Sequence, residues 1–236
     1  MPSVVRSNNH LLQALPAAEF ETLRPLLESI ELVRETVLVQ AGAALTHVCW
    51  PESGVIAMTA RLGEGQTVEV AMAGRDGVVG ALTALGDGIS STDVIVLLPG
   101  TASILDVTRF RAIVDRNASF RKLLVRQEQA LIAQVQQSVA CNASHPVEAR
   151  LSRWLLRARE VSGSECLPVT QELLAKMIGV RRNAVSIVAH GLQQAGIISY
   201  SRGRIEITDL QGLRKTACEC YHTVKVQCDR LLKYPA

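Results

Sequence analysis

The chain has 236 residues, 48% hydrophobic and only 3% aromatic, with a formal net charge of +3. That length supports one large or two modest cores. No apolar run reaches the roughly 20 residues of a membrane span and no signal-peptide pattern opens the chain, so the expectation is a cytoplasmic protein without membrane contact. Scarce aromatics also disfavour stacking-based recognition of single strands and leave duplex DNA as the better nucleic-acid partner.

A helical segment near Leu11 to Leu27 precedes a series of short alternating or apolar runs between Glu31 and about Val107: VLVQ, HVCW, VIAMTARL, TVEVAM, DVIVLL and TASILDV. Glycines punctuate them, among them Gly42, Gly54, Gly63, Gly65, Gly74, Gly77, Gly86, Gly88 and Gly100. Turn glycines at that density predict a small antiparallel β-roll. A short helix near Val107 to Val114 closes it. A long helix then runs from Ala118 to about Cys141 without Gly or Pro, capped by Asn117. Phe120, Leu124, Leu131, Val135 and Val139 lie along one side of it and predict a dimerisation seam, with packing against its own domain as the alternative. Asn142 to His145 are expected to break this helix. Pro146 falls in the first turn of the next, whose Val147, Leu151, Trp154, Leu155 and Ala158 mark a buried face.

Thr170 to Leu192, TQELLAKMIGVRRNAVSIVAHGL, reads as two short helices joined at Gly179, with Leu174, Ile178, Val185, Val188 and Leu192 spaced to close one small core. Thr170 caps the first helix, and Gly179 allows the tight turn. The second helix then presents Arg182, Asn183, Ser186 and Ile187 on one face, as entry into a major groove requires. An ordinary helical hairpin is the alternative. Directly after it, GIISYSRGRIEIT alternates around an Arg202-Gly203 turn and predicts a β-hairpin, so that the whole is a winged helix-turn-helix with Arg202 and Arg204 at the wing tip. Charge follows the same division. From Arg150 onward there are 14 Lys and Arg against 7 Asp and Glu (net +7), whereas the earlier residues carry 11 against 15 (net −4). A basic domain attached to an acidic one fits phosphate binding confined to one half of the chain.

Six cysteines in a cytoplasmic chain are expected to be free thiols. Cys49, Cys141 and Cys166 are scattered and need be no more than small apolar residues. Cys218, Cys220, His222 and Cys228 gather after the wing. On one helix Cys220 is turned about 200° from Cys218, so no four-ligand metal site is expected there, and a redox role for one or two thiols stays open. No catalytic motif or cofactor-binding glycine loop occurs, so neither an enzyme nor a resident cofactor is expected.

A β-roll, a long helix and a winged helix-turn-helix in this order resemble the Crp/Fnr family of bacterial transcription regulators. The resemblance rests on TQELLAKMIGVRRNAVSIV, GIISYSRGRIEI and VEVAMAGRDGVVGALTALGDG. It implies an α+β fold: an antiparallel β-roll (double-stranded β-helix) sensor over 1–116, a dimerisation helix over 117–142, and a DNA-binding domain with a C-terminal helix over 143–236. It further implies a homodimer reading a palindromic operator through the 181–192 helix and the 199–207 wing, with RNA polymerase as a further partner. Gln171, Arg181, Arg182, Asn183, Ser186, Ile187, Arg202 and Arg204 are the expected DNA contacts. The runner-up is a sensor or adaptor module that binds a protein instead of DNA.

Arg182 falls where the family has a base-reading Arg. Asn183 replaces a frequent Glu and Ile187 a frequent Arg, and Arg181 stands where a capping Ser is common. Asn pairs best with adenine and Ile touches only a thymine methyl, so the half-site should differ from the family's usual ones. In the sensor, the cyclic-nucleotide pattern of Gly-Glu-Leu aligns with Gly80-Ala81-Leu82, and the phosphate-binding Arg is missing from the stretch containing Ser90 and Ser91. These five residues are the expected effector pocket. Without a fixed cation a buried cyclic phosphate is poorly held, so the expectation is an unknown small-molecule or redox effector other than cyclic AMP.

Overall fold

The computed structural model describes residues 7–63 and 66–232; the turn glycine Gly65 lies outside them. The first helical segment is two short helices, α1 (His10–Gln13) and α2 (Ala17–Leu23). Pro16 separates them, because it has no N–H to continue a helix and its ring clashes with the preceding turn. Asn9 caps α1, its Oδ1 accepting from the N–H groups of Leu11 and Leu12.

All six apolar runs form strands: β2 (Val37–Val39), β3 (His47–Pro51), β4 (Val55–Arg61), β5 (Thr67–Ala73), β6 (Asp93–Leu98) and β7 (Gly100–Asp106). A seventh, β1 (Glu28–Leu32), lies in ESIEL, whose two glutamates masked it, and pairs with β7 from Glu28 opposite Ile104 to Leu32 opposite Gly100. Two antiparallel sheets result, ordered β1-β7-β3 and β2-β6-β4-β5. They close over one apolar core drawn from both, including Leu32, Cys49 and Ala102 from the first and Ile56, Val94 and Val96 from the second. The turn after β5 leads into α3 (Ala81–Leu85), entered through Gly80 at φ 85°. Helix α4 (Val107–Arg116) follows β7 and is capped by the Asp106 carboxylate. Its Phe110 lies between Trp50 and Phe120, tilted to the first and edge-on to the second, each ring centroid 6.0 Å away.

Helix α5 (Ala118–Ser144) is 27 residues long, and Asn117 Oδ1 accepts from the N–H of Phe120 at its start. It passes through Asn142 without breaking and ends only at His145, which adopts extended backbone (φ −110°, ψ 146°). The ring of Pro146 forces the residue before it out of the helical region, whereas Asn, Ala and Ser can all finish a last turn. Pro146 is itself the cap of α6 (Val147–Ser162) rather than part of its first turn.

Strand β8 (Cys166–Leu167), helices α7 (Gln171–Ile178) and α8 (Arg182–Gln194), strands β9 (Ile198–Ser201) and β10 (Arg204–Ile207), and helix α9 (Leu210–Thr216) form the winged unit. β8 adds a third strand to the wing, giving the order β8-β10-β9. Leu174, Ile178, Val185 and Leu192 are buried, with Val188 packed against them, in a core that continues through α6 into Val55, Ala57 and Met72 of the roll. The last helix, α10 (Cys220–Leu232), leaves the winged unit, lies along α5 and places Leu232 in the sensor core beside Phe110 and Phe120. No helix among the described residues is long and apolar enough to cross a membrane.

Candidate nucleic-acid interface and sensor cavity

The helix-turn-helix is built by local rules. Thr170 Oγ1 accepts from the N–H of Leu173, and Gly179 turns the chain in the left-handed region (φ 64°, ψ 48°). Arg181 occupies the cap position of α8 and makes no side-chain capping bond, which leaves its guanidinium exposed. Arg182, Asn183 and Ile187 are exposed along the outer face of α8, Ile187 at 74%. Ser186 and Gln171 are half-buried and engaged with each other: the Ser186 hydroxyl donates to Gln171 Oε1 at 2.6 Å and to the Arg182 carbonyl at 3.1 Å. This bond fixes the first helix against the second and so sets where the exposed face of α8 stands.

In the wing, Arg202 and Gly203 both have positive φ (48° and 74°), the combination of a two-residue type I′ hairpin turn. A side chain at Gly203 would meet the methyl of Thr170 at 3.5 Å, so the wing tip stands next to the start of α7. Arg202 and Arg204 point outward and are exposed. Arg181, Arg182, Arg202 and Arg204 form no salt bridge among the described residues. Four uncommitted guanidinium groups flanking an exposed Asn and Ile can bind phosphates along the edges and base edges in the middle.

The expected dimerisation residues divide. Phe120 and Leu124 are each 1% exposed and fill the chain's own sensor core with Trp50 and Phe110, so they are unavailable to a partner. Leu131 and Val135 are partly buried against the roll. Of the expected set, Val139 is exposed, at 66%, and it forms an exposed apolar stripe of α5 with Val125 and Ile132, at 52% and 49%. The inward line of α5 runs Phe120, Gln127, Gln134, Cys141, again seven apart, and Gln134 Oε1 accepts from the N–H of Met72 at 2.7 Å. Amides on the buried side disguised which face is inward, since periodicity alone weights only apolar positions.

Between the roll and α5 lies a cavity of about 330 Å³ lined by Gly80, Leu82, Ser90 and Ser91 of the expected set. Ala81 is not among its walls: it is fully buried and faces the sensor core. The charged groups on the cavity are Asp87 and Glu128, both acidic. Burial pushes the Glu128 carboxyl up, against a bond from the Leu82 N–H. Among the described residues, no arginine or lysine lines the cavity. Arg61 is held by Asp93, with contacts of 2.5 and 2.8 Å that keep the Asp93 carboxyl below its usual range. Arg75 lines a different cavity, against α6 and α10.

That junction of roll, α6 and α10 carries the other strong electrostatics. Arg157 Nη2 bonds Asp76 at 2.6 Å, and Lys225 Nζ bonds Glu160 at 2.7 Å. Trp154 Nε1 donates to Glu69 Oε2 at 2.9 Å, yet burial dominates and pushes Glu69 up to about 7.

The cysteines are placed differently from their sequence grouping. His222 is exposed, and Cys228 faces the junction cavity near Arg157. Cys141, expected to be apolar filler, meets Cys218, Cys220 and His145, the donor atoms of all four lying within 4.8 Å of one another. Burial pushes the Cys218 thiol up to about 12. Sequence reasoning missed this group because 73 or more residues separate its two halves.

Two family models match the chain: a cyclic nucleotide-binding domain over residues 29–117 and a Crp-like helix-turn-helix domain over residues 149–216. A search of curated proteins gave no match. Similar solved structures include FixK2 from Bradyrhizobium japonicum, at 12% identity and TM-score 0.69, covering 81% of this chain and 98% of that one. CLP, the c-di-GMP responsive global regulator of Xanthomonas campestris, matches at 15% identity and TM-score 0.66, covering 81% and 99%. TTHB099, a transcriptional regulator of the CRP family from Thermus thermophilus, matches at 20% identity and TM-score 0.64, covering 80% and 96%. Identities this low establish likeness of fold.

Proposed function

Because the chain belongs to the Crp/Fnr family of transcription regulators, we propose that it acts as a homodimer reading a palindromic duplex operator through the 181–192 helix and the 199–207 wing, with an effector other than a cyclic nucleotide. The observation that carries this reading is the set of exposed, uncommitted arginines on α8 and the wing, next to Asn183 and Ile187. Phosphate contacts from Arg181, Arg202 and Arg204 supply sequence-independent affinity, and Arg182 with Asn183 supplies base discrimination. RNA polymerase is the downstream partner that this role requires.

Dimerisation is supported by Val125, Ile132 and Val139, large apolar residues exposed at heptad spacing, with Leu82 and Ile89 of the roll also exposed. The effector reading is supported by the roll cavity, whose charged lining is two carboxylates. An anionic cyclic phosphate there would be desolvated without a cation and repelled by Asp87 and Glu128, whereas a neutral or cationic molecule would not.

Selection of bound fragments from a genomic duplex pool, followed by footprinting, tests this function. The expected result is an inverted repeat whose half-sites lie about one helical turn apart, roughly 10 base pairs. Retention that is independent of sequence, or no DNA retained at all, overturns it, and the latter outcome favours the adaptor role.

A further inference from the structure

Cys141 lies in the last turn of α5 and His145 follows as its cap, while Cys218 lies between α9 and α10 and Cys220 opens α10. Cys141 Sγ lies 3.5 Å from Cys218 Sγ, and Cys220 Sγ lies 3.6 Å from His145 Nδ1. In a tetrahedral zinc site, metal–sulfur bonds of about 2.3 Å and metal–nitrogen bonds of about 2.0 Å place neighbouring donors roughly 3.5 to 3.8 Å apart. Two edges of the cluster already have that length. Three sulfurs and one imidazole make a closed structural donor set with no position left for substrate.

The groups behind these donors are arranged accordingly. His145 Nε2 lies 3.2 Å from the Glu219 carboxylate, so the ring is held with Nδ1 turned toward the sulfurs, the arrangement of a carboxylate-backed histidine ligand. Gln137 Nε2 donates to Cys220 Sγ at 3.0 Å and so fixes where that sulfur stands. Arg150 and Arg153 act electrostatically on Cys141 and offset the net −1 of a dication bound by three thiolates. Cys141 and Cys220 are buried, which shields them from solvent oxidants.

We propose that Cys141, His145, Cys218 and Cys220 bind one soft divalent cation of the zinc class, fastening α10 to the hinge between the long helix and the DNA-binding domain. On binding, the three thiols release their protons to solvent and no electrons are exchanged. The site joins segments at least 73 residues apart in sequence, at the point where the winged unit leaves α5. Metal there fixes how the winged unit is carried relative to the sensor.

The full chain, purified anaerobically, is analysed for metal and then reconstituted with Co²⁺ after chelation. About one equivalent of metal per chain is expected, with thiolate-to-cobalt charge-transfer bands and tetrahedral d–d bands on reconstitution. Chelation should lower Tm by several degrees and zinc should restore it. Cys218→Ser combined with Cys220→Ser should lose the metal, whereas Cys228→Ser and His222→Ala, outside the cluster, should retain it. Metal-free wild-type protein that takes up no Co²⁺ overturns the proposal whatever the variants do. So does metal persisting in the double variant, or a Cys141–Cys218 disulfide found in the anaerobic protein.

Discussion

The reading face of the winged unit and the cavity of the roll are both surfaces on which a phosphate-bearing ligand would sit, and their charges are opposite. On α8 and the wing, four arginines stand exposed without acidic partners among the described residues. In the roll the charged lining is Asp87 and Glu128, and the nearby Arg61 is occupied by Asp93. A fold made of two modules can therefore carry opposite charge on the two surfaces even though their cores meet at Val55, Ala57 and Met72, because exposed side chains vary without disturbing the buried ones.

The largest expected effect comes from breaking the proposed dimer, in which two copies of the α8 face would act together. Ile132→Asp puts a charge in the exposed stripe of α5 without disturbing the chain's own core, and should yield monomers with about a hundredfold weaker binding to an inverted repeat, or ~2.7 kcal/mol. Sedimentation and titration against half-site and full-site duplexes measure it. Leu131→Asp should also cost folding stability, since Leu131 packs on the roll; equal Tm values for the two variants would show that the inward face is assigned wrongly.

The junction between the two modules gives the next effect. Glu69 holds its proton up to about pH 7 when folded but releases it near its ordinary value of 4.5 when unfolded. Between those values the native state binds more protons, so stability falls as pH rises and the full penalty stands above about 7. Denaturant melts at pH 5 and pH 8 should show this loss, and Glu69→Gln should flatten it.

On the reading face itself, Arg182→Ala should cost about 1 to 3 kcal/mol on the selected site and relax preference at one base position. Arg202→Ala and Arg204→Ala should weaken all sequences alike, each lowering the salt slope by about one unit. Identical losses on specific and random duplexes for all three would erase the division between base and phosphate contacts. The smallest effect belongs to the roll: calorimetry with cyclic AMP or cyclic GMP should show no binding tighter than about millimolar, and neither nucleotide should change DNA affinity. A micromolar complex would mean that the acidic lining does not set the ligand's charge.

Features set by neighbours along the chain were legible in the amino-acid sequence alone. Thr170, Gly179 and the Arg202-Gly203 turn act within a few residues, and the six apolar runs became strands because alternation and turn glycines are local signals. Three matters needed the tertiary structure. Which side of α5 faces inward was decided by Gln127 and Gln134, polar residues buried against the roll, one of them bonded to the Met72 backbone. The return of α10 to the sensor rests on its apolar side packing along α5, with Leu232 in the sensor core. That return brought Cys218 and Cys220 to Cys141 and His145, a meeting across more than 70 residues. Helix and turn preferences are short-ranged, whereas contacts between distant segments follow from how whole surfaces pack, so no spacing within either half announced the cluster.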